Sequence, residues 1–400
     1  MNILFLTMGK MTTVERRGIY TDLMRKFRDE GHEVYIVSPS ERRDGNPTRV
    51  IDEGKVHILS VRTLNVQKTS IIEKGLGQVS IEWLYKRAIK KHFARIAFDL
   101  ILYSTPPITL MGVVKAMKRQ NPKTITYLLL KDIFPQNALD INMLTETGWK
   151  GILYRRFRKQ EINLYKESDF IGCMSPANVK YLLENNLYID PKKVEVAPNS
   201  IELPDKNTVD RVFIRRRYAL PIDKPIFIYG GNLGQPQGIP FLIKCLDEVK
   251  HREDCHFLVI GTGTYLPKLL EWYESNRDGC VTVMRGLPKA DYDQLVRSCD
   301  VGLIFLDYRF TIPNYPSRLL SYLENRMPII ACTDPNCDTG SIAEENGYGE
   351  YVPSNDKTLF SLAVNRILNN DIKAMGEKGY DFLCKNYLVQ NTYDAIVKHL

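Results

Sequence analysis

The sequence predicts an α/β protein made of two doubly wound parallel-sheet domains. With 400 residues, the chain is too long for one domain of the usual ~100–200 residues. Short apolar runs alternate with longer helical patterns, which is typical of parallel strands covered by helices on both faces. The alternation starts again after a stretch bracketed by prolines, from Val196 to Pro204, so we predict a linker there.

The first half opens with a predicted strand at residues 3–6 and a helical pattern that ends at Gly31. Further apolar runs of strand length lie at residues 33–37, 56–60, 99–103, 124–130 and 170–174. Helical patterns lie at residues 14–30, 80–97, 109–120, 152–167 and 176–186. This order predicts a parallel sheet with crossover helices.

The second half has the same design. Its predicted strands lie at residues 225–229, 256–260, 280–284, 301–305, 328–331 and 349–352. Its predicted helices lie at residues 238–251, 264–275, 290–298, 316–325, 339–346, 356–369, 371–384 and 389–400. We therefore expect domains at residues 1–202 and 203–384. Ligands bind outside the carboxyl ends of such strands, so we expect the main cleft between the two sheets.

Charge and cysteine content narrow the class of protein. Residues 1–200 hold 32 Lys and Arg against 21 Asp and Glu, whereas residues 201–400 hold 23 against 26. Because one half is basic and the other nearly neutral, the halves are expected to meet different partners. The eight cysteines form no C-x-x-C pair and the six histidines lack ligand spacing, which predicts reduced thiols, no metal and a cytoplasmic location. The chain start does not resemble a secretion signal, and no apolar run reaches the ~18 residues of a membrane span.

A glycine-rich segment joins a predicted strand to a helix in the second half. It contains Gly230, Gly231, Gly234 and Gly238. Glycines let backbone N–H groups approach a phosphate, and a helix N-terminus favours negative charge, so we predict a phosphate site. The alternative is a turn that only needs positive φ.

A second candidate anion site follows Tyr315. Pro316 stands at a predicted helix start and is followed by Ser317 and Arg318, which could donate to and neutralise a diphosphate. The alternative is an ordinary capped helix with a solvated arginine. Asp291 and Asp293 match a metal-binding D-x-D, but we attribute Asp291 to helix N-capping and expect no catalytic metal.

In the first half, Asp132 ends a buried strand at the edge where such domains bind ligands. It could accept a proton or bind a sugar hydroxyl, and the alternative is an aspartate that caps a turn. Thr105 lies in a second loop of this kind, after the predicted strand at residues 99–103.

A basic amphipathic helix follows in the first half, with Trp83 beside Lys86, Arg87, Lys90 and Lys91. This composition is typical of a helix that lies on an anionic membrane surface, and the alternative is a solvated helix face. The basic cluster from Tyr154 to Lys159 could add to the same surface. No nucleic-acid-binding module is recognisable, so we expect no nucleic-acid partner.

Five segments together resemble a known family. They are Gly31–Val34, Asp132–Ala138, Pro198–Ile201, Gly231–Gly234 with Gln237–Gly238, and Pro316–Arg318. In this order and spacing, they make the chain similar to the GT-B glycosyltransferases of family 4, which retain configuration and use nucleotide sugars. Within that family the chain most resembles the bacterial surface-polysaccharide subgroup, such as the N-acetyl-fucosamine transferases.

The resemblance implies two facing Rossmann-like domains, with the last helix, residues 385–400, packing back on the first domain. The second domain would bind a nucleoside-diphosphate sugar, expected to be a UDP-sugar, with no other cofactor. Its expected donor-binding residues are Gly231, Asn232, Leu233, Gly234, Gln237, Arg285, Leu287, Ser317, Ser321 and Glu324, with Arg318 as the catalytic cation on the diphosphate. The first domain would bind a polyprenyl-diphosphate-linked glycan at the inner face of the cytoplasmic membrane, where Asp132 would orient or deprotonate the acceptor hydroxyl.

The chain departs from the family pattern at three places, one of which is Gln237, where many relatives have a basic residue. A glutamate that binds the donor ribose usually stands where this chain has Ser321, and Glu324 follows one helical turn later. The histidine that many members place in the cleft has no counterpart near residues 128–135. These departures leave two alternatives open: an inactive GT-B scaffold docked on membranes, and a hydrolysing nucleotide-sugar epimerase.

Overall fold

The computed structural model describes residues 1–65, 71–203 and 209–400, and the side chains of residues 71–79 are not described. Pro204, the predicted end of the linker, lies outside the described residues. The chain forms two compact units. The first comprises Met1–Glu202 and Leu388–Leu400, and the second comprises Leu203–Tyr387, so it ends at Tyr387 rather than at residue 384.

The described part of the first unit contains an eight-stranded sheet. Its strands are β1 Asn2–Leu6, β2 Glu33–Glu41, β3 Arg49–Glu53, β4 Val56–Thr63, β5 Leu100–Ser104, β6 Ile125–Leu130, β7 Phe170–Cys173 and β8 Val194–Val196. Their order across the sheet is β3-β4-β2-β1-β5-β6-β7-β8. The predicted parallel sheet is confirmed except at one edge, where β3 pairs with β4 in antiparallel fashion. The two strands are joined by a tight turn at Gly54, whose φ of 65° suits glycine.

Helices cover both faces of this sheet. They are α1 Ile19–Asp29, α2 Ile71–His92, α3 Met111–Gln120, α4 Gln136–Asp140, α5 Gly148–Glu167 and α6 Pro176–Asn185. Buried side chains of α2, α3, α5 and α6 join one hydrophobic core with one face of the sheet. Side chains of α1 join a second core on the opposite face. The same described segments contain no helix long and apolar enough to cross a membrane.

The second unit is built on a six-stranded parallel sheet in the residues that the structure describes. Its strands are β9 Ile226–Asn232, β10 His256–Thr262, β11 Val281–Arg285, β12 Val301–Phe305, β13 Ile329–Thr333 and β14 Gly349–Pro353, in the order β11-β10-β9-β12-β13-β14. Its helices are α7 Arg211–Arg217, α8 Ile239–Val249, α9 Leu266–Glu274, α10 Lys289–Arg297, α11 Arg318–Glu324, α12 Thr339–Glu345, α13 Lys357–Leu368 and α14 Ile372–Asn386.

The last helix, α15 Val389–Val397, belongs to the first unit. The Tyr393 ring lies 5.0 Å from that of Phe27 in an edge-to-face pair, and the Tyr393 hydroxyl bonds His32 at 2.9 Å. The Val389 N–H donates to the Ile201 carbonyl at 3.1 Å. Burial of these aromatic side chains attaches the end of the chain to α1.

Strand order identifies where each unit is expected to bind ligands. In the second sheet β9 lies between β10 and β12, so the chain leaves β9 to one side and returns to the other. In the first sheet β1 lies between β2 and β5 in the same way. Crevices form outside the carboxyl ends of strands at such switch points. The predicted glycine-rich segment follows β9, and Asp132 follows β6, which is next to β5.

Candidate functional site

The carboxyl end of β9 forms the centre of the candidate site in the second unit. Gly231 has φ of 129°, a conformation that residues with a Cβ rarely adopt. A Cβ added to Gly261, the neighbouring residue on β10, would lie 1.9 Å from the Gly231 carbonyl oxygen. Both positions therefore require glycine, and the backbone at this edge is left uncovered by side chains.

Arg318, the first residue of α11, lies beside this glycine backbone. A Cβ on Gly231 would be 3.4 Å from Arg318 Nη2. The guanidinium lies over the Tyr229 ring, 4.3 Å from its centroid. Arg318 Nη1 is buried and has no hydrogen-bond partner among the described residues. Arg318 as a whole is half-buried, and a guanidinium with an unused donor is suited to bind an anion such as phosphate.

Two backbone N–H groups of the glycine-rich loop are already used within the protein, so they are not free to bind a phosphate. The N–H of Leu233 donates to the Thr262 carbonyl at 2.8 Å, and the Leu233 side chain is fully buried. The N–H of Gln237 donates to the Gly234 carbonyl. Contrary to the expected donor contact, neither the side chain nor the N–H of Leu233 is available to a ligand.

Asn232 and Gln237 engage each other, because Asn232 Nδ2 donates to Gln237 Oε1 at 2.9 Å. This bond closes the loop over Gly234, where an added Cβ would lie 3.0 Å from Asn232 Nδ2. Both side chains remain accessible to solvent, because Asn232 is exposed and Gln237 is half-buried. Either side chain can therefore bind a ligand once the hydrogen bond between Asn232 and Gln237 is replaced by a hydrogen bond to that ligand.

Arg285 extends the site across the sheet. It ends β11 and pairs in register with Gly261, which pairs in turn with Gly231. Three neighbouring strands thus place Arg285 about 10 Å from Gly231 along the same edge. The Arg285 side chain is exposed, and Leu287 is half-buried just beyond it.

The remaining predicted donor-binding residues lie on or next to α11. Ser317 is exposed and makes no side-chain capping bond. Ser321 is half-buried one turn after Arg318, and Glu324 ends the helix. Glu324 lies six positions after Arg318, about 9 Å further along the helix axis. The family glutamate is expected at the position of Ser321, so Glu324 lies about one turn beyond it.

The expectation that Asp291 caps a helix is wrong. Helix α10 begins at Lys289 with Pro288 at the capping position, so Asp291 lies in the first turn. It forms an ion pair with Arg217 at 3.4 Å. Tyr292 next to it packs its hydroxyl against Gly230, where an added Cβ would lie 1.9 Å away. In the described ranges, no cluster of three or more His, Cys, Asp or Glu could hold a metal ion.

In the first unit, the carboxylate of Asp132 is held by Asn137. Asn137 Nδ2 donates to both carboxylate oxygens, at 2.8 and 2.9 Å, while Asn137 Oδ1 is buried without a partner among the described residues. Burial raises the pKa of Asp132 to about 6, and the bonds from Asn137 oppose this rise. A carboxyl group that titrates near neutral pH is suited to exchange a proton with a substrate hydroxyl.

Two neighbours support Asp132. The Thr105 hydroxyl oxygen accepts from the N–H groups of Lys131 and Asp132, at 3.1 and 3.3 Å. Thr105 is buried, so it supports the loop rather than presenting itself to an acceptor as predicted. Lys131 Nζ donates to the Ala197 carbonyl at 2.8 Å, and burial lowers the pKa of Lys131 to about 7.

Sequence reasoning missed Lys131 and Asn137 as site residues, and it missed a cavity on the same edge. The cavity, of about 310 Å³, lies beside the loop from β1 to α1 and is lined by residues that include Lys10, Arg16 and Tyr20. The signal for Lys131 and Asn137 was their place beside Asp132 after a buried strand. The β1–α1 loop shows no comparable pattern.

The basic face of α2 is exposed as expected. Trp83, Arg87, Lys90 and Lys91 are exposed, and the Arg87 guanidinium lies 5.3 Å from the Trp83 ring centroid. Lys86 differs, because it is half-buried and pairs with Glu82 at 2.6 Å.

Comparisons with known proteins agree with this architecture. Residues 19–204 match the family described as Glycosyltransferase Family 4, and residues 224–370 match the family described as Glycosyl transferases group 1. No curated protein sequence matches the chain.

Solved structures match over both units. Sucrose-phosphate synthase from Thermosynechococcus elongatus has a TM-score of 0.75 at 14% identity, covering 99% of this chain and 97% of that one. A trehalose-6-phosphate structure from E. coli bound with UDP-2-fluoro glucose has a TM-score of 0.70 at 11% identity, covering 100% and 98%. WaaG, a glycosyltransferase involved in lipopolysaccharide biosynthesis, has a TM-score of 0.63 at 13% identity, covering 98% of each chain. The chain is thus a glycosyltransferase of the GT-B fold, with a family 4 domain followed by a group 1 domain.

Proposed function

We propose that this glycosyltransferase transfers a sugar from a UDP-sugar, bound by the second unit, to a polyprenyl-diphosphate-linked glycan, bound by the first unit. The reaction would retain the configuration of the sugar, use no metal ion and serve surface-polysaccharide synthesis at the inner face of the cytoplasmic membrane. The observation that carries the donor assignment is the Arg318 guanidinium beside Gly231, whose buried Nη1 has no hydrogen-bond partner among the described residues.

The chemistry of the leaving group supports this role for Arg318. Negative charge builds on the diphosphate as the glycosidic bond breaks. A guanidinium already fixed against the Tyr229 ring stabilises that charge with little reorganisation. One structural neighbour holds UDP-2-fluoro glucose, which supports a uridine nucleotide as the donor.

The acceptor half of the proposal is supported by Asp132. A carboxylate with a pKa of about 6 is largely ionised at neutral pH, so it can accept a hydrogen bond from the acceptor hydroxyl and take up part of its proton. The exposed basic face of α2, with Trp83 beside Arg87 and Lys90, favours an acceptor presented at an anionic membrane. The involvement of a structural neighbour in lipopolysaccharide biosynthesis points in the same direction.

The donor site is tested by calorimetric titration of Arg318→Ala with UDP and with UDP-sugars. Losing a charged hydrogen bond of about 1.5–3 kcal/mol is expected to weaken binding by roughly 10- to 150-fold. Arg326→Ala is the matched control, because Arg326 is exposed and lies over Tyr380. Unchanged affinity in Arg318→Ala would contradict the donor assignment.

The same titration addresses the scaffold alternative, which Ser321 motivates by standing at the position of the family glutamate. If the wild-type chain binds no nucleotide or nucleotide sugar, a docked scaffold replaces the enzyme as the preferred function.

A further inference from the structure

Three large apolar side chains are exposed at or just before the start of α5. We call Met143, Trp149 and Ile152 the α5 tip; their exposed fractions are 58%, 69% and 62%. Trp149 and Ile152, three residues apart, are neighbours on one face of the helix, and Met143 lies five residues before the helix begins. Single exposed apolar residues are ordinary, whereas neighbouring ones are characteristic of an interaction surface.

Cations follow the α5 tip along the helix. Arg155, Arg156 and Lys159 are exposed, and Arg156 and Lys159 form no ion pair among the described residues. From Ile152, Arg156 lies about 6 Å and Lys159 about 10 Å further along the axis.

Few acidic residues lie along the segment that carries the α5 tip, although Asp140 and Glu161 flank it directly. Between residues 141 and 160, Glu146 is the one acidic residue in the sequence, and Arg155 Nη1 bonds its carbonyl at 3.0 Å. Lys150 Nζ lies 6.0 Å from the Trp149 ring centroid, so a further cation accompanies the exposed indole. This local charge is complementary to an anionic surface.

The α5 tip lies toward the carboxyl edge of the first sheet, where Asp132 also stands. Crossover helices run antiparallel to their strands, so α5 begins near the end of β6. The Tyr154 hydroxyl donates to Gln136 Oε1 at 2.9 Å, and the rings of Phe134 and Phe157 lie 5.1 Å apart. These contacts fasten the first half of α5 to the segment that follows Asp132.

Helix α2 has the same polarity. Trp83 precedes Arg87, Lys90 and Lys91 along the helix, and α2 and α5 share one hydrophobic core on the same face of the sheet. In both helices the aromatic residue is therefore nearer to the carboxyl edge than the cations.

We propose that the α5 tip inserts into the headgroup region of an anionic bilayer, with Arg156 and Lys159 contacting lipid phosphates. Interfacial segments bury apolar residues about 5–10 Å deep, which matches the spacing between the tip and its cations. The inference deepens the proposed function and rests on its membrane-linked acceptor, because docking at this edge brings the lipid surface to the side of the unit that carries Asp132.

Single-tryptophan proteins test the insertion. The chain has three tryptophans, so Trp83→Phe with Trp272→Phe leaves Trp149 as the sole fluorophore. Vesicles of phosphatidylglycerol and brominated phosphatidylcholine are expected to quench Trp149 and shift its emission to the blue. The control keeps Trp272, whose indole N–H bonds Asp247 in the second unit, and is expected to stay unquenched. A third protein keeps Trp83 alone. The proposal is overturned if Trp149 is not quenched, or if quenching occurs only in the protein that keeps Trp83.

Vesicle sedimentation tests the energetics and the choice of partner. Trp149→Ala with Ile152→Ser is expected to weaken binding about tenfold or more. Leu187→Ser, at a residue that is 89% exposed elsewhere in the first unit, is expected to leave binding unchanged. Arg156→Glu with Lys159→Glu is expected to reduce the preference for phosphatidylglycerol over phosphatidylcholine alone, while the exposed cations of α2 retain part of it.

Two results would overturn the lipid assignment. The first is that the wild type binds neutral vesicles as tightly as anionic ones. The second is that the wild type is a dimer in analytical ultracentrifugation and that the tip substitutions dissociate this dimer. UDP binding of the tip variants is measured in parallel. UDP binding is proposed to depend on the second unit alone. If the wild type binds UDP but does not bind vesicles, only the present inference is refuted. If the wild type does not bind UDP, the proposed donor is refuted.

Discussion

The carboxylate of Asp132 is poised between two opposing effects. Burial disfavours its charge, while the two hydrogen bonds from Asn137 Nδ2 favour it. The balance leaves its pKa near 6, so a small change in either effect moves its charge state across neutral pH. Asn137 is thus a positioning residue that also sets when Asp132 is ionised.

We predict that Asn137→Ala raises the pKa of Asp132, because the lost bonds stabilise the charged form. Loss of about 1.5 kcal/mol corresponds to roughly one pH unit. If the reaction uses ionised Asp132, as we propose, the acidic limb of the kcat/KM profile is expected to move to higher pH by that amount. Gln136→Ala is the control, because Gln136 bonds Asp140 and Tyr154 instead. If the pH profile of Asn137→Ala is the same as that of the wild type, Asn137 does not set the ionisation of the group that the reaction uses.

At this scale the sequence predicted candidate positions but not their surroundings. Asp132 was predicted from its place after a buried strand, and Arg318 from its place beside Pro316 and Ser317 at a helix start. Thr105 was predicted from its place in a strand-end loop and Leu233 from the family resemblance, yet both are buried. Which side of a short loop faces the solvent depends on tertiary packing, which no local pattern records.

Among the elements, the carboxyl end of β9 places a glycine of positive φ next to a charged side chain. Gly231 needs its positive φ, and its Cα faces Arg318 Nη2. Gly54 in the β3–β4 turn also has positive φ, but an added Cβ there would have nothing within 4 Å. Both glycines therefore have backbone conformations that residues with a Cβ rarely adopt, and only Gly231 has a neighbouring guanidinium.

We predict that Gly231→Ala and Gly54→Ala each destabilise the chain by about 1–3 kcal/mol through backbone strain. Only Gly231→Ala is expected to weaken UDP binding, because its methyl group crowds Arg318. Chemical denaturation and calorimetric titration of both variants measure the two effects separately. Equal UDP affinity in both variants would show that the turn does not position the guanidinium.

The elements that the sequence missed share a physical cause. Strand β3 is half-exposed, so its pattern lacks a continuous apolar run, and β8 has three residues. Helix α4 has five residues and α7 has seven, which is too short for a helical period to stand out. The buried strands near the middle of each sheet were predicted because they are apolar on both faces.

Over the whole molecule, two parallel sheets each bring different chemistry to their carboxyl edges. The second unit offers a glycine backbone beside the Arg318 guanidinium, and the first offers a titratable carboxyl and, on α2, a set of exposed cations. The sequence predicted this division from the restart of the strand pattern and the uneven charge. The return of α15 to the first unit followed only from family resemblance, because a terminal helical pattern does not reveal which sheet it covers.

A crystal structure of the chain with UDP tests the central claim most directly. The account predicts a diphosphate oxygen within hydrogen-bond distance of Arg318 Nη1, beside the backbone of Gly231. A diphosphate bound elsewhere, with Arg318 Nη1 still lacking a partner, would contradict it.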